Sequence, residues 1–167
     1  MKILVFTEGT VIMHPSAKGL SREERVKQSQ TRERSIHDYR NYIPNDNAVE
    51  KLLSWKRQRA EIYYLTSRTT HEEINDIRFV LEKFNFPDCQ NLLYREKGKE
   101  YKDVAERLMP DILVEDDCES IGGEVEMTYP HIRRDLKQKI KSIVVKEFGG
   151  IDHLPDNLQK LNSYDII

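Results

Sequence analysis

Ile3-Leu4-Val5-Phe6-Thr7-Glu8-Gly9-Thr10 is the stretch on which the reading of the fold turns. Four apolar residues run straight into a hydroxyl, a carboxylate and a glycine. A run of that length suits a strand buried on both faces, as in a parallel sheet, ending in a polar turn. The pattern recurs further along the chain. Ile62-Tyr63-Tyr64-Leu65 ends at Thr66-Ser67-Arg68, and Asn91-Leu92-Leu93-Tyr94 is a weaker third run. Asp111-Ile112-Leu113-Val114 ends in Glu115-Asp116-Asp117, and Ser142-Ile143-Val144-Val145 ends near Gly149-Gly150.

Helical patterns separate these runs. Over residues 47–59, Ala48, Val49, Leu52, Leu53 and Trp55 share one face. Thr70 with Glu73 three residues on reads as a capping box opening a helix that buries Ile74, Ile77, Val80 and Leu81, with Pro87 past its end. Residues 102–108 form a further helix closed by Pro110, residues 152–161 a last one, and Gly122-Gly123 is read as the end of a short helix after the acidic cluster. Strands alternating with helices at this spacing predict one α/β domain over residues 1–167, a mainly parallel sheet flanked by helices.

Composition narrows the functional classes. The 167 residues carry 27 Lys and Arg against 29 Asp and Glu, a net charge of −2, so nucleic acid is an unlikely partner. Two cysteines, Cys89 and Cys118, exclude a disulfide-rich scaffold and suit a reducing, cytoplasmic setting. No apolar run is long enough to span a bilayer, and the first residues lack the pattern of a signal peptide.

In open parallel sheets, ligands bind at the carboxyl ends of the strands. Thr7, Glu8, Thr10, Thr66, Ser67, Arg68, Glu115, Asp116 and Asp117 all fall there, with Lys102 at a helix start. Carboxylates that hold a hard cation, beside a hydroxyl and an ammonium that hold phosphate oxygens, make up a Mg²⁺–phosphate site. In order and spacing the chain resembles the haloacid dehalogenase-like superfamily over residues 3–121. Phe6-Thr7-Glu8-Gly9-Thr10 lies where that family has Asp-x-Asp-Gly-Thr. The strand ending in Thr66, Lys102, and the acidic end Glu115-Asp116-Asp117 follow in order. The resemblance implies a Rossmann-like sheet with a cap inserted after the first strand. It also implies phosphate binding by Thr66 and Lys102, metal binding by Glu8, Asp116 and Asp117 with Mg²⁺ as cofactor, and acid–base work at Glu8.

One departure changes the expected function. The family's nucleophile is the first Asp of its first motif, and Phe6 stands in that position. A phenyl ring has no atom to attack phosphorus, so the covalent step is not available at this residue. Glu8 replaces the second Asp and is one methylene longer. The sequence therefore reads as a degenerate member: a non-catalytic or altered binder of a small phosphorylated molecule with Mg²⁺. The alternative is an active phosphohydrolase working through Glu8. A lesser alternative is a Toprim-like Mg²⁺-dependent nucleic-acid enzyme in which Glu115 and Asp117 form a metal pair with Glu8.

Residues 16–43 interrupt the alternation. They hold seven basic and four acidic residues and read as a small basic cap or flap. As a cap, the segment brings Arg22, Arg25, Arg32 and Arg34 toward an anionic ligand. As a solvated helix, it pairs them with Glu23, Glu24 and Glu33.

Overall fold

The computed structural model describes residues 1–32 and 34–165. Glu33, one of the expected partners of the insertion's arginines, lies outside the described residues. In chain order the strands are β1 (Lys2–Phe6), β2 (Ile12–Met13), β3 (Ile43–Pro44), β4 (Glu61–Leu65), β5 (Leu92–Leu93), β6 (Ile112–Asp116) and β7 (Lys141–Val145). The helices are α1 (Arg22–Gln30), α2 (Ala48–Arg57), α3 (His71–Lys83), α4 (Tyr101–Leu108), α5 (Arg134–Lys137) and α6 (Leu158–Asn162).

Five strands form one parallel sheet in the order β5-β4-β1-β6-β7, with β1 at its centre. Strand alternation sorts the apolar runs between two layers. Ile3 and Val5 face the layer containing Leu52 and Trp55 of α2, Ile77 and Leu81 of α3, and Leu161 of α6. Leu4 and Phe6 face the other layer, with Val104 and Ala105 of α4. Trp55 is fully buried and donates its indole N–H to the Pro155 carbonyl at 2.9 Å. An aromatic that large settles in a core only when its one donor is satisfied.

The chain winds from β1 to β4 and β5, then crosses to β6 on the other side of β1. The reversal opens a crevice at the carboxyl end of β1, the usual ligand position in such sheets. The sequence-based expectation of a parallel α/β sheet with flanking helices is met.

The insertion after β1 is held at its base by an antiparallel ladder, Ile12 opposite Pro44 and Met13 opposite Ile43. Between these lie α1 and three short 3₁₀ turns. Ser21 and Glu24 cap α1 reciprocally.

Two local expectations are corrected. Gly122-Gly123 does not end a helix: it follows a turn in which the N–H groups of Ile121, Gly122 and Gly123 converge on the Cys118 carbonyl, and Gly123 begins a 3₁₀ turn. The last helix spans Leu158–Asn162. Its expected first half is turn and bend, where Pro155 lacks the N–H a helix interior needs and the Asp152 carboxylate bonds Asn47 instead. Among the described residues, no helix is long and apolar enough to cross a membrane.

Candidate functional site

A cavity of about 170 Å³ lies over the carboxyl end of β1. Phe6, Glu8, Ser67, Arg68 and Asp116 form its floor, and Tyr101 of α4 one wall. Glu147 and Phe148, which follow β7, close another side. The insertion supplies the roof through Ser29, Ile36, Tyr39 and Tyr42. What the segment contributes to the lining is mostly aromatic and apolar rather than basic.

None of the four expected arginines lines the cavity. Arg22 bonds Glu119 at 2.7 Å. Arg25 is buried and donates to the carbonyls of Ala17, Leu20 and Phe148 and to Asn45. With Nε and Nη1 on three carbonyls and Asn45, and Nη2 3.6 Å from the Asp46 carboxylate, this guanidinium anchors the cap to its surroundings rather than facing the cavity.

Phe6 occupies the end of β1, its ring edge-on to Tyr101 with centroids 5.1 Å apart. Past it the backbone turns at Gly9, where φ is +84° and an added Cβ would lie 2.9 Å from Asp116 Oδ2. Only glycine suits both the left-handed backbone and that close approach. The turn aims Glu8 at the loop after β4. Glu8 Oε1 accepts from the Thr66 hydroxyl at 2.7 Å and the Ser67 hydroxyl at 3.3 Å, and lies 3.2 Å from Arg68 Nε. Oε2 accepts from the Thr7 hydroxyl and, at 3.4 Å, from the Ser67 N–H.

Arg68 is held independently of Glu8. Its guanidinium stacks on the Tyr39 ring at 4.4 Å, donates to the Tyr39 hydroxyl, and donates to Ser67 Oγ at 2.7 Å. Burial opposes its charge, yet the neighbouring Glu8 and Tyr39 lift its pKa above the ordinary arginine value.

The acidic end of β6 divides three ways. Glu115 is buried and accepts the N–H groups of Thr128 and Tyr129 at 2.6 and 2.9 Å. Asp116 points toward the site. Thr10 donates to its Oδ2 at 2.8 Å and the Cys118 N–H to its Oδ1 at 2.9 Å. Burial, with the charge of Glu147 nearby, pushes its pKa to about 7. Asp117 turns outward to Lys146 at 3.0 Å and to the Glu147 N–H at 3.1 Å. Burial raises its pKa, but Lys146 and that N–H outweigh this and hold it below the ordinary value.

Glu8, Asp116 and Asp117 thus spend their oxygens on three separate sets of partners. Among the described residues, no group of three or more His, Cys, Asp or Glu could hold a metal ion. The donor set does not fit Mg²⁺: Glu8 is tied to a guanidinium, Asp117 to an ammonium, and Asp116 has both oxygens hydrogen-bonded. The Toprim-like pair has no geometric basis either, since Glu115 is locked onto backbone N–H groups and Asp117 faces the other way.

Of the two expected phosphate ligands, Thr66 lies in the site with its hydroxyl on Glu8. Lys102 does not reach the cavity: its Nζ lies 2.7 Å from Glu100, and that partner raises its pKa. Arg95 lies behind two residues of the cavity lining, stacked on Tyr101 at 4.0 Å with Nη2 3.5 Å from the Ser67 carbonyl.

Sequence reasoning passed over the clustering of Ser67 and Arg68 on Glu8, the aromatic roof, and Glu147. Glu147 is buried and accepts from the Ser120 N–H and hydroxyl, both at 2.7 Å. Its place just after the last strand was the available signal. The roof tyrosines carry no such mark, because only the folded insertion brings them over β1.

No protein-family model matches the chain, and no curated protein does. Solved structures do. A class C acid phosphatase from Bacillus anthracis with tungstate bound is 13% identical, over 89% of this chain and 68% of that one, with a TM-score of 0.53. Another structure of a class C acid phosphatase from Bacillus anthracis is 14% identical over 97% and 74%, also at 0.53. A haloacid dehalogenase (HAD) hydrolase, family IA, variant 3, from Entamoeba histolytica is 11% identical over 86% and 83%, at 0.50. At such identities the likeness concerns the fold. The chain has the Rossmann-like α/β architecture of haloacid dehalogenase-like phosphatases.

Proposed function

We propose that this protein binds a small phosphorylated molecule at the carboxyl end of β1 and does not hydrolyse it. The observation that carries this reading is the Phe6 ring packed on Tyr101 in the cavity lining, at the residue that the sequence resemblance aligns with the family's nucleophile. Without an attacking atom there, no phosphoryl group can be taken up covalently. While seated on its donors, Glu8 does not supply the attacking atom either. A carboxylate offers about four lone-pair sites, and the donors gathered on Glu8 occupy them.

The oxyanion specificity is supported by the same donors. Thr66, Ser67 and Arg68 converge on negatively charged oxygens, and one protein of like fold holds tungstate, a tetrahedral oxyanion. Arginine beside hydroxyl and backbone donors is a common recognition set for phosphate. The aromatic roof gives the rest of the ligand an apolar surface. Binding proceeds through these side chains without a resident Mg²⁺. The hydrolase alternative rests on the fold alone, and fold does not determine chemistry.

The test is a panel of small organic phosphates, scored for thermal stabilisation and for phosphate release. At least one compound is expected to stabilise the protein with no release. Acetyl phosphate and beryllium fluoride are expected to leave no adduct by mass spectrometry. Turnover, or an adduct on any carboxylate, overturns the non-catalytic reading. A panel that stabilises nothing overturns the ligand class.

A further inference from the structure

We propose that the Glu8 side chain is a built-in occupant of an oxyanion subsite, and that a tetrahedral anion binds there only by displacing it. The inference rests on the reading that the site takes a phosphorylated ligand, and adds how access to it is controlled.

The subsite is defined by donors. The hydroxyls of Thr7, Thr66 and Ser67, the Ser67 N–H and the Arg68 guanidinium meet on one carboxylate. They come from two neighbouring strand ends, β1 and β4, so the parallel pairing of those strands fixes their spacing. Their orientation does not depend on Glu8 alone. The Arg68 N–H donates to Thr66 Oγ1 at 3.1 Å, leaving the Thr66 proton to point away toward an acceptor. Tyr39 and Ser67 hold the guanidinium from its other side. Removing Glu8 therefore leaves a pre-formed cradle of donors.

The occupant and a ligand exclude one another for two reasons. They need the same donors, and two anions side by side at this spot repel. Asp116 and Glu147, which also line the cavity, add to that repulsion when ionised. Exchange is sterically open, because Ser67, Arg68 and Glu8 itself all line the cavity. A glutamate suits this role better than an aspartate. Its extra methylene carries the carboxylate from the β1 turn across to the β4 loop.

A network of charge-assisted bonds keeps the displaced state a minor one, of order 0.1–10% of molecules. Apparent affinity falls by the fraction that is competent, so removing the occupant is expected to tighten anion binding at least about tenfold.

The experiment titrates inorganic phosphate into the full chain by calorimetry, beside wild type, with Glu8→Ala and Glu8→Gln. Melting of each variant without phosphate establishes that it is folded. Glu8→Gln keeps the side chain's shape while removing its charge, and makes the comparison if the alanine variant does not fold. The expected result is weak binding in wild type, at least tenfold tighter binding in Glu8→Ala, and a smaller gain in Glu8→Gln, whose amide oxygen still accepts from the same donors without the charge. Adding Thr66→Val to the variant is expected to abolish the gain. Equal affinity in wild type and variants overturns the gate and leaves the phosphorylated-ligand reading standing. No binding by either folded variant means the donors are no oxyanion cradle, and overturns both.

Discussion

Phe6 is the residue on which the proposed non-catalytic reading turns. Its ring lies against Tyr101 and beside Leu4 and Leu65 in the layer that α4 covers. Phe6→Asp puts an acid at the position that the resemblance aligns with the family's nucleophile, but it also sets a charge against that apolar layer. The change is expected to destabilise the protein by about 2 kcal/mol, a fall in melting temperature of roughly 4–8 °C for a chain of this size. It is not expected to create a phosphatase, because Glu8 stays bound to Thr66 and Arg68 and Lys102 stays on Glu100. Release of phosphate from para-nitrophenyl phosphate by this variant would show that the surrounding side chains rearrange into a working set. The aromatic at the end of β1 was legible in the sequence, since the apolar run and the Gly9 turn place it there. The orientation of Glu8 was not. Residue types at strand ends say which groups gather, whereas the hydrogen-bond partners that turn each carboxylate come from other strands and loops.

At the scale of elements, the apolar runs and helix faces carried almost all the information needed for the sheet, because a strand buried on both sides has to be apolar throughout. The insertion was legible as an interruption but not in its orientation, because its apolar and aromatic residues are few and set among charges. Arg22 and Arg25 look alike in sequence, three residues apart on α1, yet their environments differ. Arg25 is buried and bonds three carbonyls and Asn45, tying the insertion to the segment after β7. Arg22 pairs with Glu119 while both side chains are partly exposed to solvent. Arg25→Met, which removes the guanidinium donor from the carbonyls of Leu20 and Phe148 and from Asn45, is expected to cost roughly 2–4 kcal/mol in urea denaturation. Arg22→Ala is expected to cost less than about 1 kcal/mol, as exposed ion pairs do. Equal losses would mean that the cap is not anchored through Arg25.

For the molecule as a whole, the acids buried around the carboxyl ends of the strands set how stability follows pH. Asp116 is raised from 3.8 to about 7, first by burial and then by the Glu147 charge. Burial raises Glu115 and Glu147 as well, against hydrogen bonds that pull the other way. A carboxyl whose pKa is higher folded than unfolded holds its proton more tightly in the native state. Its contribution to stability is complete below the unfolded pKa and is lost as pH climbs through the folded one. For Asp116 the window runs from 3.8 to about 7, and the loss there is on the order of 1 kcal/mol per pH unit. Stability is therefore expected to decline from pH 5 to pH 8, unlike a protein whose carboxylates are mostly ion-paired. Asp116→Asn keeps a side chain that can bond Thr10 and the Cys118 N–H, and it removes the titrating group. It is expected to flatten much of the slope and to melt higher than wild type at pH 8, with little difference at pH 5. Mg²⁺ enters the same measurement with a definite sign. A cation seated on Asp116 would favour its charged form, lower its pKa and restore stability at pH 8. Since the carboxylates here are turned to separate partners, millimolar Mg²⁺ is expected to leave the wild-type curve where it was. A rise in melting temperature at pH 8 that Asp116→Asn abolishes would mean that the acids can regroup around a metal.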